Sequence, residues 1–274
     1  MTVLLAAVLA AAPVVQAPNA TPFALDAAPI QGGIARGTAP AGTVTLMLGP
    51  TPVPVGPDGR FLIAFDRDAA PAADLVATLA DGRTVRQTLT VAPRAWRIER
   101  LDTLARGTAP TEEFTRRRAP ELARIAAARA VERASDGWRQ RFVWPATGRI
   151  SGLFGSQRIY RGEPGAYHGG VDVARPTGTP VVAPADGVVA LAADAPFTLE
   201  GNLLMIDHGM GLVSAFLHLS RIDVKPGDVV RQGQVVGAIG ATGRATGPHL
   251  HWGMTWRGNR IDPLLAAGAM GVGG

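Results

Sequence analysis

The 274-residue sequence contains no cysteine, and its only lysine is Lys225. The lack of cysteine excludes disulfide frameworks, cysteine-based zinc sites and a lipid anchor on an N-terminal cysteine. The positive charge is therefore nearly all arginine, and the formal net charge is +5. Because these arginines are scattered and no basic stripe alternates with aromatic residues, we predict an arginine-rich surface and no nucleic-acid partner.

Hydrophobic residues make up 47% of the chain and charged residues 18%, which argues against a mainly disordered protein. The length allows two modest domains or one large domain. The 34 glycines and 22 prolines favour many turns and short strands over long helices. Composition alone therefore predicts a mainly β protein.

Residues 2–15 form an uncharged, mostly apolar run at the start of the chain. A membrane-spanning helix needs about 20 apolar residues, so this run is too short to cross a bilayer. We predict a signal peptide at residues 1–17, with Val15-Gln16-Ala17 as the cleavage site. The expected location is periplasmic or extracellular, without stable membrane insertion. A buried N-terminal helix is the alternative.

The rest of the chain divides into three predicted parts. Residues 18–105 read as short β-rich segments separated by Asp-Gly turns, which indicates a small antiparallel β-sandwich accessory domain. Residues 106–141 are rich in arginine, glutamate and alanine, and we predict a helical connector with Pro120 in its first turn and Gly137 at its end. Residues 142–274 return to a glycine-rich β pattern.

The five histidines all lie in this last part of the chain. They are His168, His208, His218, His249 and His251. In a strand, His249 and His251 point to the same side, and His168 lies four residues before Asp172 in a segment with paired glycines. His208 lies in a predicted turn, and we interpret it as structural.

A hydrolytic zinc site takes three protein ligands and leaves one position open for water. We predict that His168, Asp172 and His251 bind Zn²⁺, because two imidazoles and one carboxylate leave the centre positively charged. His218 and His249 are the two candidates for catalytic proton transfer, since imidazole titrates near neutrality. A single histidine in a strand is more often a core or surface group, so the prediction depends on the whole set. Tyr167 and Arg158 are candidate substrate contacts.

At these residues the sequence resembles the LytM/lysostaphin-type zinc metallopeptidase family, which cuts bacterial peptidoglycan. The resemblance covers about residues 144–263. Its ordered motifs include Trp144-Pro145, the segment 148–155, the His168 to Asp172 element, the segments 178–189 and 230–237, and Gly247-Pro248-His249-Leu250-His251. It implies a mainly antiparallel β catalytic domain with a groove, the duplicated hybrid motif fold. It also implies zinc on His168, Asp172 and His251, and catalytic roles for His218 and His249.

The predicted function is therefore that of a zinc metalloendopeptidase whose partner and substrate is peptidoglycan, in which it hydrolyses peptide bonds of stem peptides or cross-bridges. None of the family's five metal and catalytic positions is substituted, which argues against the alternative of a non-catalytic peptidoglycan-binding activator of other cell-wall hydrolases. A lipoyl- or biotinyl-carrier domain is a second alternative, but Lys225 lacks the flanking residues that such an attachment site requires. Whether a regulatory protein partner or an upstream segment controls the site stays open.

Overall fold

The computed structural model describes residues 23–104 and 110–270, so the predicted signal peptide lies outside the described residues. The first part of the chain forms eight strands. These are β1 (Ala24–Leu25), β2 (Ile34–Thr38), β3 (Thr43–Leu48), β4 (Thr51–Pro52), β5 (Arg60–Ala64), β6 (Ala72–Leu79), β7 (Thr84–Thr90) and β8 (Ile98–Leu101).

One helix, α1 (Glu112–Ala130), and a short 3-10 turn (Gly137–Arg139) lead into the second part of the chain. This part is again built from strands and closes with a short helix. Its elements are β9 (Arg149–Gly152), β10 (Gln157–Tyr160), β11 (Glu163–Pro164), β12 (Gly170–Ala174), β13 (Pro180–Val182), β14 (Gly187–Ala192), β15 (Asn202–Asp207), β16 (Leu212–Leu219), β17 (Arg221–Ile222), β18 (Val229–Val230), β19 (Val235–Ala238), β20 (His249–Trp256), β21 (Asn259–Ile261) and α2 (Pro263–Ala267).

An eight-stranded sheet dominates the second part, in the order β18-β14-β15-β16-β20-β12-β9, with β21 paired to β20. All its pairings are antiparallel. The sheet is held by large side chains that are almost fully buried, among them Phe216, Trp252 and Trp256. The prediction of a mainly β, antiparallel fold is confirmed.

Short strands separated by turns occupy residues 24–101, as the sequence pattern of this part of the chain predicts. The β6–β7 hairpin turns at Asp81-Gly82, where Gly82 has φ +83°, a conformation that favours glycine. In the first part, β1-β2-β5 and β4-β3-β6-β7 form separate sheets. Their buried side chains belong to one continuous apolar cluster that also contains Phe154 and Trp252.

The two parts are also joined by hydrogen bonds. Strand β8 pairs in parallel with β10, although the sequence places residues 98–101 in the accessory domain. Arg36 donates to the carbonyl of Trp138 at 2.6 Å, and Arg94 binds the Asp262 carboxylate at 2.8 Å. The division into domains at residues 105 and 141 stays a prediction.

The predicted limits of the connector helix are wrong. Helix α1 begins at Glu112, because the Thr111 hydroxyl caps it by accepting from the amide of Phe114, and Glu112 and Glu113 favour its first turn. Pro120 therefore lies inside the helix, which ends at Ala130, before Gly137. The capping threonine is a stronger start signal than the proline on which the prediction relied.

Helix α1 packs on the eight-stranded sheet. Its buried residues Ile125 and Ala128 belong to an apolar cluster with Leu203, Met205 and Val213. No helix within residues 23–104 and 110–270 combines the length and apolar character needed to cross a membrane.

Candidate metal centre and its groove

Adjacent strands of the large sheet bring distant parts of the sequence together. Strand β20 lies between β12 and β16, and its residue His251 is directly opposite Asp172 on one side and Leu217 on the other. His168 precedes β12, and His218 is the next residue after Leu217. Along β20, Leu250 is fully buried on the opposite face, as the alternation predicts.

The side chains of His168, Asp172 and His251 converge on one point. His168 Nε2 lies 3.1 Å from Asp172 Oδ1 and 3.0 Å from His251 Nδ1, and His251 Nδ1 lies 2.9 Å from the same Asp172 oxygen. Together they form a potential metal-binding group. All three side chains are only partly exposed, so the ligand atoms face a sheltered but open site.

The hydrogen bonds of the rings decide which nitrogen carries a lone pair. His168 Nδ1 lies 3.0 Å from the carbonyl oxygen of Leu153, which can only accept, so Nδ1 holds the proton and Nε2 is free to bind a cation. His251 instead presents Nδ1 to the same point. Two imidazole lone pairs and a carboxylate facing one another fit a divalent cation.

Asp172 stays ionised in this site. Burial alone would raise its pKa, but the adjacent rings of His168 and His251, at 3.1 and 2.9 Å, hold the pKa of Asp172 below its usual range. Burial lowers the pKa of His251, so its ring is biased toward the neutral form, whereas the nearby Asp172 carboxylate outweighs the effect of burial on His168 and raises its pKa when no metal is bound. Neutral imidazole and ionised carboxylate are the forms that bind metal.

The rings of His218 and His249 lie beside the point on which the three candidate ligands converge, but they do not reach it. His249 Nε2 is 3.9 Å from Asp172 Oδ1, and the rings of His218 and His249 have centroids 4.8 Å apart. His249 Nδ1 donates to the carbonyl of Gly247, and His218 Nδ1 donates to that of Thr242, each at 2.8 Å. Each ring therefore keeps Nε2 available to accept or donate a proton.

His218 has an unusual backbone conformation. Its φ of +64° lies in the left-handed region that non-glycine residues rarely adopt, close to an irregularity in the pairing of β15 with β16. Such strain is found most often at functional sites, where the surrounding structure enforces it. Burial also lowers the pKa of His218, which keeps its ring neutral.

Two glycines make room for the converging side chains. A Cβ atom at Gly152 would lie 2.9 Å from Asp172 Cγ and 3.0 Å from His168 Cε1. A Cβ atom at Gly170 would lie 2.7 Å from His251 Nε2. The sequence shows these glycines but not that they touch the site, because the contact depends on neighbouring strands.

We expect Gly152→Ala to weaken metal binding by about 10- to 100-fold, the range seen when the groups that orient metal ligands are changed. The new methyl group must displace the Asp172 carboxylate. Metal affinity measured by competition with a chromophoric chelator checks this. Gly247→Ala is the matched control, since its Cβ would meet no atom within 4 Å. Equal affinity of both variants and the wild type would contradict the prediction.

His208 is fully buried and is not among the residues that line the open site around the candidate metal centre. Its Nδ1 donates to the carbonyl of Asp186 at 2.8 Å, and its Nε2 accepts from the Ser214 hydroxyl at 2.9 Å. The Ser214 oxygen in turn accepts from Trp252 Nε1. Burial lowers the pKa of His208 to about 4. The network supports the strand that carries His251.

The burial of His208 predicts that the folded protein loses stability at acidic pH. An unfolded histidine has a pKa near 6.5, so between pH 6.5 and 4 the unfolded chain binds a proton at His208 that the folded chain does not. The stabilising contribution is complete above pH 6.5 and is lost as the pH falls toward 4, by up to about 3 kcal/mol. Urea unfolding at pH 7 and pH 4.5 should show a smaller acid loss in His208→Gln than in the wild type. An identical loss would refute this assignment.

The site opens into a groove of about 590 Å³. The five site residues line it, together with Tyr167 and part of helix α1. Tyr167 donates to the Asp66 carboxylate at 3.0 Å, and burial raises its pKa to about 12, so it stays protonated. Arg158 is not among the residues that line the groove and instead binds Glu99. The structure thus brings six of the seven predicted site residues together.

Comparisons with known proteins agree with this geometry. Residues 166–263 match Peptidase family M23. Peptidoglycan DD-endopeptidase ShyA of Vibrio cholerae is 41% identical over 128 residues, which is 46% of this chain and 29% of that protein. DD-carboxypeptidase/endopeptidase Mpg of Neisseria meningitidis is 41% identical over 123 residues, which is 43% of this chain and 27% of that protein. The chain thus spans less than a third of the length of these curated relatives.

A solved structure extends the similarity beyond the matched domain. A candidate M23 peptidase from Pseudomonas aeruginosa superimposes with a TM-score of 0.68 at 29% identity, covering 88% of this chain and 96% of that one. The similarity therefore includes strands that precede the metal centre.

Proposed function

We propose that this chain, whose residues 166–263 match Peptidase family M23, is a zinc-dependent endopeptidase that hydrolyses peptide bonds in peptidoglycan stem peptides or cross-bridges. The observation that carries the proposal is the convergence of His168, Asp172 and His251 within 2.9–3.1 Å of one another, with two further histidines beside them. The peptidoglycan substrate is supported by the activities named for ShyA and Mpg.

We assign His168 Nε2, an Asp172 oxygen and His251 Nδ1 as the ligands. The set fits zinc, because two neutral imidazoles and one carboxylate are a common donor set for catalytic zinc. When bound, zinc activates a water molecule and polarises the carbonyl of the peptide bond. The ligands come from two adjacent strands and the loop that precedes one of them, so a rigid sheet holds them in place.

His249 and His218 are proposed to move protons. Their Nδ1 protons are held by the Gly247 and Thr242 carbonyls, so only Nε2 can exchange a proton with water or with the leaving amine. Of the two rings, His249 lies nearer the metal ligands, because its Nε2 is 3.9 Å from Asp172 Oδ1. The intact pair favours catalysis over the non-catalytic activator alternative.

The proposal places the protein outside the cytoplasm, where peptidoglycan is found. An open groove suits this substrate, because a polymer must lie across the site and cannot enter a closed pocket. The predicted signal peptide at residues 1–17 supports export.

The decisive experiment is digestion of purified sacculi by the zinc-loaded protein starting at Pro18, with mass analysis of the released fragments. We expect soluble muropeptides whose masses identify the bond that is cut. The paired control is chelator-treated protein, with activity restored by added zinc. Zinc binding without any release of fragments would favour the activator, and undiminished activity after chelation would exclude metal catalysis.

A further inference from the structure

We propose that Arg129 and Arg260 form an anion subsite in the groove that binds a free carboxylate of the substrate peptide. This inference rests on the proposed function, since it names the chemistry that the groove recognises next to the metal centre. Neither arginine belongs to the predicted site residues, and they lie 131 positions apart in the sequence.

Arg260 lies immediately beside the metal centre. Its side chain crosses the backbone next to His168, since a Cβ atom on Gly169 would lie 3.3 Å from Arg260 Cδ and 3.5 Å from Nε. Its guanidinium is 5.2 Å from the centre of the Tyr167 ring, which orients it by a cation–π contact. The charged group is solvent-exposed and lines the groove.

Arg129 reaches the same groove from the last turn of helix α1. Arg129 is solvent-exposed, and partial desolvation together with the charge of Arg260 lowers its pKa. Two guanidinium groups that face one groove repel each other. This cost is relieved when an anion lies between them.

Among the described residues, neighbouring carboxylates form no ion pair with either arginine, and the Glu200 charge only partly offsets the lowering of the Arg129 pKa. Within residues 23–104 and 110–270, neither Arg129 nor Arg260 makes an ion pair, whereas Arg118 on the same helix donates to both Glu200 oxygens at 2.6 Å and to Glu121 at 2.9 Å. The Asp66 carboxylate near Arg260 is engaged by the Tyr167 hydroxyl and the Arg260 backbone amide. Arg118 therefore anchors the helix, and Arg129 and Arg260 remain available for a ligand.

A carboxylate is the anion that suits this position. Guanidinium groups bind carboxylates through paired, charge-assisted hydrogen bonds, and they keep their charge at any physiological pH. A peptide that lies across the metal centre presents carboxylates, both at its terminus and on side chains, within reach of the groove wall. Peptidoglycan stem peptides carry such free carboxylates.

The test compares two forms of one ligand. Dimeric muropeptides are used as isolated and after carbodiimide-driven amidation of their carboxylates, which removes the negative charge while keeping the peptide. Binding is measured by calorimetry on the zinc-loaded full chain with His249→Ala, to limit turnover. We expect the acid form to bind about tenfold more tightly than the amide at low salt, with the preference shrinking as salt is added.

Arg129→Gln and Arg260→Gln, each in that background, should reduce this preference toward onefold. Arg260→Lys should keep part of it, because charge is retained but the paired hydrogen bonds are lost. Arg124→Gln is the matched control, since Arg124 lies on the same helix but binds Asp194 outside the groove. Its preference should equal that of the parent.

Equal binding of acid and amide, or no binding of either, would overturn the subsite. An equal loss of preference in Arg124→Gln would also overturn it, because a general loss of positive charge would then explain the effect. The proposed function is tested separately by hydrolysis with the wild-type protein. Hydrolysis without acid preference removes only the subsite, whereas acid preference without hydrolysis removes only the endopeptidase.

Discussion

His251→Ala is expected to lose both bound zinc and peptidoglycan hydrolysis, with the rate falling by about 10³-fold or more. The magnitude follows from the several kcal/mol of transition-state stabilisation that a catalytic metal supplies, since each 1.36 kcal/mol is about tenfold in rate. His251 Nδ1 contacts both other ligands within 2.9–3.0 Å, so its removal leaves only two donors. Zinc content by atomic spectroscopy and muropeptide release by chromatography provide the two measurements.

The matched control for this change is Arg124→Gln, which alters a surface ion pair with Asp194 outside the groove. It should keep one zinc per chain and full hydrolysis. A His251→Ala protein that stays folded, holds zinc with unchanged affinity and digests sacculi normally would show that the three converging side chains are not the metal site.

His249→Ala is expected to keep its zinc but to lose about 10²- to 10⁴-fold in kcat, the range for removal of a general acid or base. The separation of the two effects follows from geometry. His249 Nε2 lies 3.9 Å from Asp172 Oδ1, whereas the ligand atoms lie within 3.1 Å of one another. Steady-state kinetics on purified muropeptides, with zinc content measured on the same sample, tests this.

His218→Ala should behave in the same way, since its ring is also held through Nδ1 and its Nε2 is also free. If either variant loses zinc in proportion to activity, that histidine is a ligand and the division of roles is wrong. If both keep full activity, proton transfer is carried out by another group.

The strands were predictable where local patterns are strong. Alternating apolar residues in β3 and β7 and the Asp-Gly turn before β7 specify structure over a few residues. The limits of α1 were not predictable in the same way, because Thr111 and Pro120 are competing start signals and the packing of Ile125 and Ala128 on the sheet contributes to the choice.

The candidate site was likewise predictable only in part from the sequence. The sequence alone pointed to metal chemistry. The evidence was the residue types, the placement of His249 and His251 on the same side of one strand, and the family resemblance. Tyr167 lines the groove, whereas Arg158 does not, because it lies on β10 and its exposed ion pair with Glu99 depends on the parallel pairing of β8 with β10; a substrate contact by either residue stays a prediction.

The sequence by itself determined the mainly β class, the histidine-bearing strand and the chemical identity of the candidate ligands, because these depend on residue type and on spacings of a few positions. Only the tertiary structure decided which ring nitrogen of His168 and of His251 faces the centre, since backbone carbonyls and neighbouring strands set each ring. Only the tertiary structure placed Arg129 and Arg260 in one groove, because helix α1 meets the sheet through contacts between residues far apart in the chain.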